Sequence, residues 1–289
     1  MNNNALKQSF NFFLDTVKLF LLLIKVLFTP GKLSNIRRED RPFPIYVMGN
    51  GPSLTKIRDI VPNRNSANLC TVNFSIETDL FFELKPEYHT FADGAFFLYE
   101  NPRIKNIYTN LLKKVSWSLT LIVPSNCYKQ VLKHIDNPNI SVRYYSCFYW
   151  EPQTNLYIPV KHLFYRRNII TPPAQNVCIA CIFASINLGY KDIRLLGVEH
   201  SWTRQMEVMD DNILYLVDEH YYNKDASHTP FYSSHSDSPV FKVHEALFAL
   251  SLMFKGYHSL RNYANSRGDV KIFNLTEKSM IDAFDRKIL

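Results

Sequence analysis

The stretch Ile45-Tyr46-Val47-Met48-Gly49-Asn50-Gly51-Pro52-Ser53-Leu54 decides how the rest of the chain is read. Four apolar residues of strand character run into a Gly-Asn-Gly turn. Pro52 follows where a helix can begin, because proline at the first helical position sacrifices no needed hydrogen bond. A strand, a glycine turn and a helix N-terminus together turn backbone N–H groups and a positive dipole end toward an anion such as phosphate. Glycine permits the sharp turn and close approach, and the Asn50 amide can both donate and accept. The stretch matches neither the dinucleotide fingerprint nor the P-loop lysine motif. A tight strand-to-helix turn with no ligand is the competing reading, and the remaining sequence has to choose between them.

Downstream, strand-like runs recur at Asn68–Asn73, Tyr88–Ala92, Leu119–Val123, Ile193–Leu196 and Val270–Phe273. Helical patterns fall at Pro52–Ile60, from after Pro173 through Asn187, and at His244–Asn265, with a terminal helix over Ser279–Phe284. Such alternation predicts an α/β, Rossmann-like, mostly parallel sheet with helices on both faces. Ligands of these sheets collect beyond the carboxyl ends of the strands. Asn50, Asn73, Asp93 and Glu199 all fall at predicted strand ends. Residues 201–240 are polar, carry His220, His228 and His235, and lack apolar periodicity, which suits a flexible lid over a substrate.

The 289 residues suffice for one large α/β domain with a small appendage. A formal charge of +7 favours negative partners such as nucleotides, anionic sugars or lipid head groups. Nucleic acid ranks last, since the cations are scattered and no nucleic-acid-binding signature accompanies them. Five irregularly spaced cysteines fit a reducing compartment rather than a disulfide framework. Cys178 and Cys181 form a C-x-x-C inside an apolar run, which reads as a buried helix rather than a metal site.

Residues 1–41 stand apart. The span 9–29 is the most hydrophobic of the chain, with Asn11, Asp15, Lys18 and Lys25 along one side of a helix. A spanning helix needs about 20 apolar residues with few charges, so an amphipathic helix in the membrane interface fits better. Lys32, Arg37 and Arg38 follow to meet anionic lipid. Packing on the protein's own core or on a second subunit is the alternative. Pro30-Gly31 and Arg37–Arg41 read as a linker, and the main domain as 42–289 with its lid at about 201–240. The localisation that follows is cytoplasmic and peripheral on the inner membrane.

Together these pieces resemble a known family. Gly49-Asn50-Gly51-Pro52-Ser53-Leu54, Val72-Asn73-Phe74 and the tract Ile186-Asn187-Leu188-Gly189-Tyr190-Lys191-Asp192-Ile193 leading to Gly197-Val198-Glu199 resemble, in order, motifs of bacterial lipooligosaccharide sialyltransferases. The resemblance covers roughly residues 44–100 and 170–245. It implies a metal-independent, cofactor-free transferase that moves an ulosonic acid from a CMP-activated donor to a bacterial surface glycan or glycolipid. It further implies that Gly49, Asn50, Gly51 and Asn73 hold nucleotide and phosphate, and that Glu199 lies near the nucleotide. His235 stands where the family has a lid histidine that deprotonates the acceptor, with His228 as the fallback. Histidine suits that task because its ordinary pKa lies near neutrality.

Departures accompany the likeness. The tyrosines that bind the leaving phosphate in the family are replaced here by His200, Ser201, Trp202 and Arg204, which passes that task to Arg204, Tyr221 or Tyr222. Asn176-Val177-Cys178 replaces a Thr-Ser-Gly, and Asn176 retains a polar contact if the register is ungapped. Asp93 falls where the family carries an asparagine near the donor sugar. A carboxylate there could attack the anomeric carbon and give retention, which resembles the retaining Kdo transferases of polysaccharide assembly. Two other classes stay open: a phosphotransferase of the pterin diphosphokinase type on a similar scaffold, and a non-catalytic membrane-docked scaffold. A homo-oligomer is compatible with all three.

Overall fold

The computed structural model describes residues 3–29, 34–61, 63–97, 101–217, 228–233 and 239–287. The predicted parallel sheet forms and has eight strands. They are β1 (Ile45–Met48), β2 (Asn68–Val72), β3 (Tyr88–Thr90), β4 (Leu119–Pro124), β5 (Ile140–Tyr145), β6 (Asp192–Leu196), β10 (Lys271–Asn274) and β11 (Asp285–Arg286). Their spatial order is β11-β10-β6-β1-β2-β3-β4-β5, and every pairing is parallel. Strands β1 to β5 step outward one after another, and the chain then returns to lay β6 on the free side of β1. The junction between β1 and β6 is therefore the topological switch point, where open α/β sheets leave a crevice at the carboxyl edge.

Strands β1, β2 and β4 are almost entirely buried, as expected of a parallel sheet covered on both faces. One face is covered by α7 (Val177–Leu188), whose twelve residues are all buried, and by α9 (Val243–Arg267). Between them lie Tyr165 of α6 (Ile158–Arg166), Phe183, Tyr257 and Tyr263. The opposite face carries α3 (Asp79–Leu84), α4 (Pro102–Lys114) and α5 (Tyr128–His134) over a second core, with α2 (Ile57–Ile60) near β1. A separate three-stranded antiparallel sheet, β7 (Met206–Val208), β8 (Leu214–Val217) and β9 (His228–Pro230), fills part of the predicted lid, entered through α8 (Trp202–Gln205).

Three local expectations are revised. Ser279–Phe284 is not a helix, because Ser279 Oγ donates to the Val198 carbonyl and Met280 N to the Glu199 carbonyl, which pulls the segment flat across the strand ends. The segment 34–41 does not stand free as a linker. Asn35 exchanges two hydrogen bonds with the Tyr144 main chain, Glu39 N donates to the Leu188 carbonyl, and Ile36 is buried in the main core. The helix α1 (Asn3–Leu27) docks on the body with Leu22 in that same core, so residues before Pro42 share the packing of the domain. No described helix is long and apolar enough to cross a membrane.

Candidate functional site

The first turn after β1 is held shut by its neighbour across the switch point. Gly49 N donates to the Leu196 carbonyl and Gly51 N to the Gly197 carbonyl, each at 2.8 Å. A Cβ on Gly49 would lie 2.2 Å from Gly197 O, and one on Gly51 would lie 1.5 Å from Glu199 Oε2. The glycines thus serve close approach between two loops, and their amides are already used by main-chain carbonyls. The helix after Pro52 is a five-residue 3₁₀ turn, Pro52–Lys56, and its Ser53 N–H is taken by Glu199 Oε1 at 2.7 Å. The anion at this predicted phosphate-binding end is the protein's own carboxylate.

A different helix faces the cleft with its positive end. Asn176, Val177 and Cys178, the start of the twelve-residue α7, line the cleft together with Gly49, Asn50, Gly51, Asn73, Glu199 and His200. Asn176 caps this helix through Oδ1, which accepts from Cys178 N at 2.8 Å. The Cys178 thiol is buried and pushed up to about 12, so it is a packing group here. All five cysteines are free, and no group of His, Cys, Asp and Glu able to hold a metal occurs among the described residues.

Around this end stand several oxygens that lack partners. Asn50 Nδ2 reaches the Val72 carbonyl at 3.4 Å, which leaves Asn50 Oδ1 buried and unpaired. Asn73, in the left-handed region at φ 49° that asparagine tolerates, likewise buries an unpaired Oδ1. Glu199 Oε2 and Ser53 Oγ are in the same state. Buried polar atoms are normally satisfied, and each orphan costs about 1–3 kcal/mol. Three of these atoms, Asn50 Oδ1, Asn73 Oδ1 and Glu199 Oε2, belong to residues that line the cleft, whereas Ser53 does not line it.

His200, which the sequence offered only as one of four residues replacing the family's tyrosines and gave no task, lines the cleft. It is buried in the left-handed region at φ 52°, and its Nε2 lies 2.6 Å from the Tyr257 hydroxyl, which in turn donates to Asn176 Oδ1 at 3.3 Å. Burial pushes its imidazole down to about 3, so it is neutral at ordinary pH. The signal was its place directly after Glu199. Tyr257, in the middle of α9, is buried behind the cleft lining, where it touches His200 and Asn176, and nothing local marked it.

The other named residues fall elsewhere. Asp93 stands at the same edge beyond β3 but does not line this cleft, so it does not join Asn50, Asn73 and Glu199 as the strand-end pattern expected. It is exposed, and its Oδ1 accepts from Ala95 N at 2.8 Å to cap a 3₁₀ turn, Gly94–Phe97. His228 is exposed on β9, with Nε2 3.5 Å from Glu207 Oε2. His235, Tyr221 and Tyr222 lie outside the described residues.

The solved MAf glycosyltransferase from Magnetospirillum magneticum AMB-1 is similar at TM-score 0.49 and 14% identity, over 90% of this chain and 37% of that one. This chain therefore spans little more than a third of that protein's length. No curated protein sequence matches. A family model described as 6-hydroxymethylpterin diphosphokinase MptE-like matches residues 20–205, an interval that contains every residue lining the cleft. With most of its length inside that match, the chain belongs to the MptE-like family.

Proposed function

We propose that the cleft binds the nucleotide part of an activated donor, and that the protein is a transferase moving an ulosonic acid, Kdo or sialic acid, from a CMP-linked donor to a bacterial surface glycan. The observation that carries this reading is the set of unpaired acceptors at the switch point. Asn50 Oδ1, Asn73 Oδ1 and Glu199 Oε2 call for donors, and a cytidine offers them in its two ribose hydroxyls and its exocyclic amine. The N-terminus of α7 supplies the positive end for one phosphate. Among the described residues the cleft is lined by no lysine or arginine. That suits a single phosphodiester better than a triphosphate, whose charge calls for cations. In this reading Asn176 and the glycine turn complete the nucleotide site, Asp93 is the carboxylate on the donor-sugar side, and His235, or else His228, deprotonates the acceptor.

A second reading rests on the family itself, whose description names a pterin diphosphokinase. On the same scaffold the cleft would then take ATP, with 6-hydroxymethylpterin as acceptor, and a divalent cation would offset the phosphate charge. One experiment separates the two. Purified protein is offered CMP-Kdo, CMP-sialic acid, or ATP with 6-hydroxymethylpterin and Mg²⁺, each with and without EDTA, and free CMP or AMP is measured. Metal-independent CMP release that is reduced in Asn50→Ala at sub-saturating donor is the expected result. Formation of AMP that EDTA abolishes, with no CMP release, would replace the first reading by the second.

A further inference from the structure

The helix α1 presents its apolar side outward. Its inward line is Asp15, Leu19, Leu22 and Val26, in steps of four, three and four. Asp15 is 0% exposed, and its Oδ2 accepts from the main-chain N–H groups of Gln153 and Thr154 at 2.9 and 2.8 Å. Phe12 stacks on Tyr157 at 5.4 Å, and Thr16 shares a 2.7 Å hydrogen bond with the Tyr157 hydroxyl. These contacts fix the rotation of the helix about its own axis. Opposite them, Leu6, Phe10, Phe13, Val17, Phe20 and Leu27 follow one another at helical steps and stand in solvent, with Phe13 at 62%, Phe20 at 63% and Leu27 at 76% exposure. A soluble protein rarely exposes so continuous an apolar stripe without a partner for it.

The charges of the helix say which partner. Its three lysines, Lys7, Lys18 and Lys25, are all exposed, and their spacing of eleven and seven residues sets them within about 20° of one line, flanking the apolar stripe. Its one carboxylate, Asp15, is the group turned inward. A second copy of the chain packed face to face would offer these lysines no carboxylate from its own helix, where paired helices normally place opposite charges beside the seam. An anionic bilayer surface takes both features at once: acyl chains receive the phenylalanines, and the lysines reach head groups along the edge. We infer that α1 lies flat in the interface of a negatively charged membrane, with Asp15 clamping it to the domain.

The test uses the full chain sedimented with phosphatidylcholine vesicles, with and without phosphatidylglycerol. Binding is expected to the anionic vesicles, weakening as salt is raised. Lys7→Gln/Lys18→Gln/Lys25→Gln is expected to reduce it by roughly fivefold per lysine removed. Phe13→Glu/Phe20→Glu is expected to abolish it without moving the thermal midpoint, since neither side chain touches the body. Independently, Phe20→Trp adds a fluorophore that brominated acyl chains should quench beyond the quenching seen in the wild type. Absence of binding to anionic vesicles, or of added quenching, overturns the inference. So does a wild-type dimer in light scattering that Phe13→Glu/Phe20→Glu dissociates while lipid binding stays negligible.

Discussion

Two parts of the same sheet edge are built in opposite ways. Between β1 and β6 the loops are locked together by Gly49, Gly51, Ser53 and Glu199, with a carboxylate where a Cβ would otherwise sit. Beyond β3, Asp93 stands exposed on a 3₁₀ turn whose Phe96 is anchored in the core against Phe74 and Phe91. The locked side has spent its main-chain donors on itself and keeps side-chain acceptors in reserve. The open side keeps a carboxylate in water. The proposed function assigns the nucleotide to the locked side and the chemistry to the open one, and substitutions on each side test that division.

The contrast is broken most severely at Gly49. A methyl group there meets a main-chain carbonyl between two central strands, which neither side can withdraw. Gly49→Ala is expected to cost about 3 kcal/mol or more, read as a drop in the urea midpoint. Gly51→Ala meets chiefly the end of the Glu199 side chain, which can move, and less closely the Gly197 main-chain carbonyl at 2.8 Å, which cannot. About 2 kcal/mol is expected for that variant, with part restored in Gly51→Ala/Glu199→Ala, because removing the carboxylate makes room. If the double variant is as unstable as the sum of its parts, the glycine is not answering to Glu199.

Nucleotide binding sharpens the same contrast with a smaller effect. Asn50→Ala should leave the fold near wild-type stability and weaken CMP by roughly tenfold, about 1.4 kcal/mol, measured by calorimetry. Unchanged affinity would mean that the unpaired Oδ1 meets no ligand. The neutral histidines set the pH response. His200 and His89 are both pushed down to about 3 by burial, against an unfolded value near 6.5. Between those values the unfolded chain binds protons that the fold refuses, so stability should rise with pH from about 3 to about 6.5 and fall away as the solution is acidified. The slope in that window should be shallower in His200→Gln than in the wild type.

Much of the fold was legible in the sequence because its strands are short apolar runs bounded by turn residues. Five of them, from Ile45–Met48 to the run before Asn274, fall within a residue or two of their predicted bounds, and Ile193–Leu196 gains only Asp192. The strand β5, Ile140–Tyr145, escaped because it is an edge strand whose mixed polar pattern resembles a loop. In the site, Gly49, Asn50, Gly51, Asn73, Asn176 and Glu199 were legible from strand ends and resemblance, and one cleft gathers all six. What no local pattern could convey was how their hydrogen bonds are spent. That the positive helix end belongs to α7 rather than to the turn after Pro52 depends on Glu199 reaching across 146 residues to Ser53 N. Tyr257 reaches His200 behind the cleft only because α9 packs along α7.

The least disruptive substitution asks the sharpest question. Asp93→Asn keeps an oxygen that can accept from Ala95 N, and the residue is exposed, so its stability is expected to stay within about 0.5 kcal/mol of wild type. A neutral amide is nevertheless useless as a nucleophile. If Asp93 carries the donor sugar through a covalent intermediate, turnover of the CMP-linked donor should collapse in this variant while CMP affinity, set on the locked side of the edge, is retained. Asp93→Ala should give the same loss with a slightly weaker turn. A variant that turns over normally would remove Asp93 from the chemistry and leave its carboxylate as the cap of a turn. The transfer would then be expected to invert the anomeric centre, with the acceptor attacking directly.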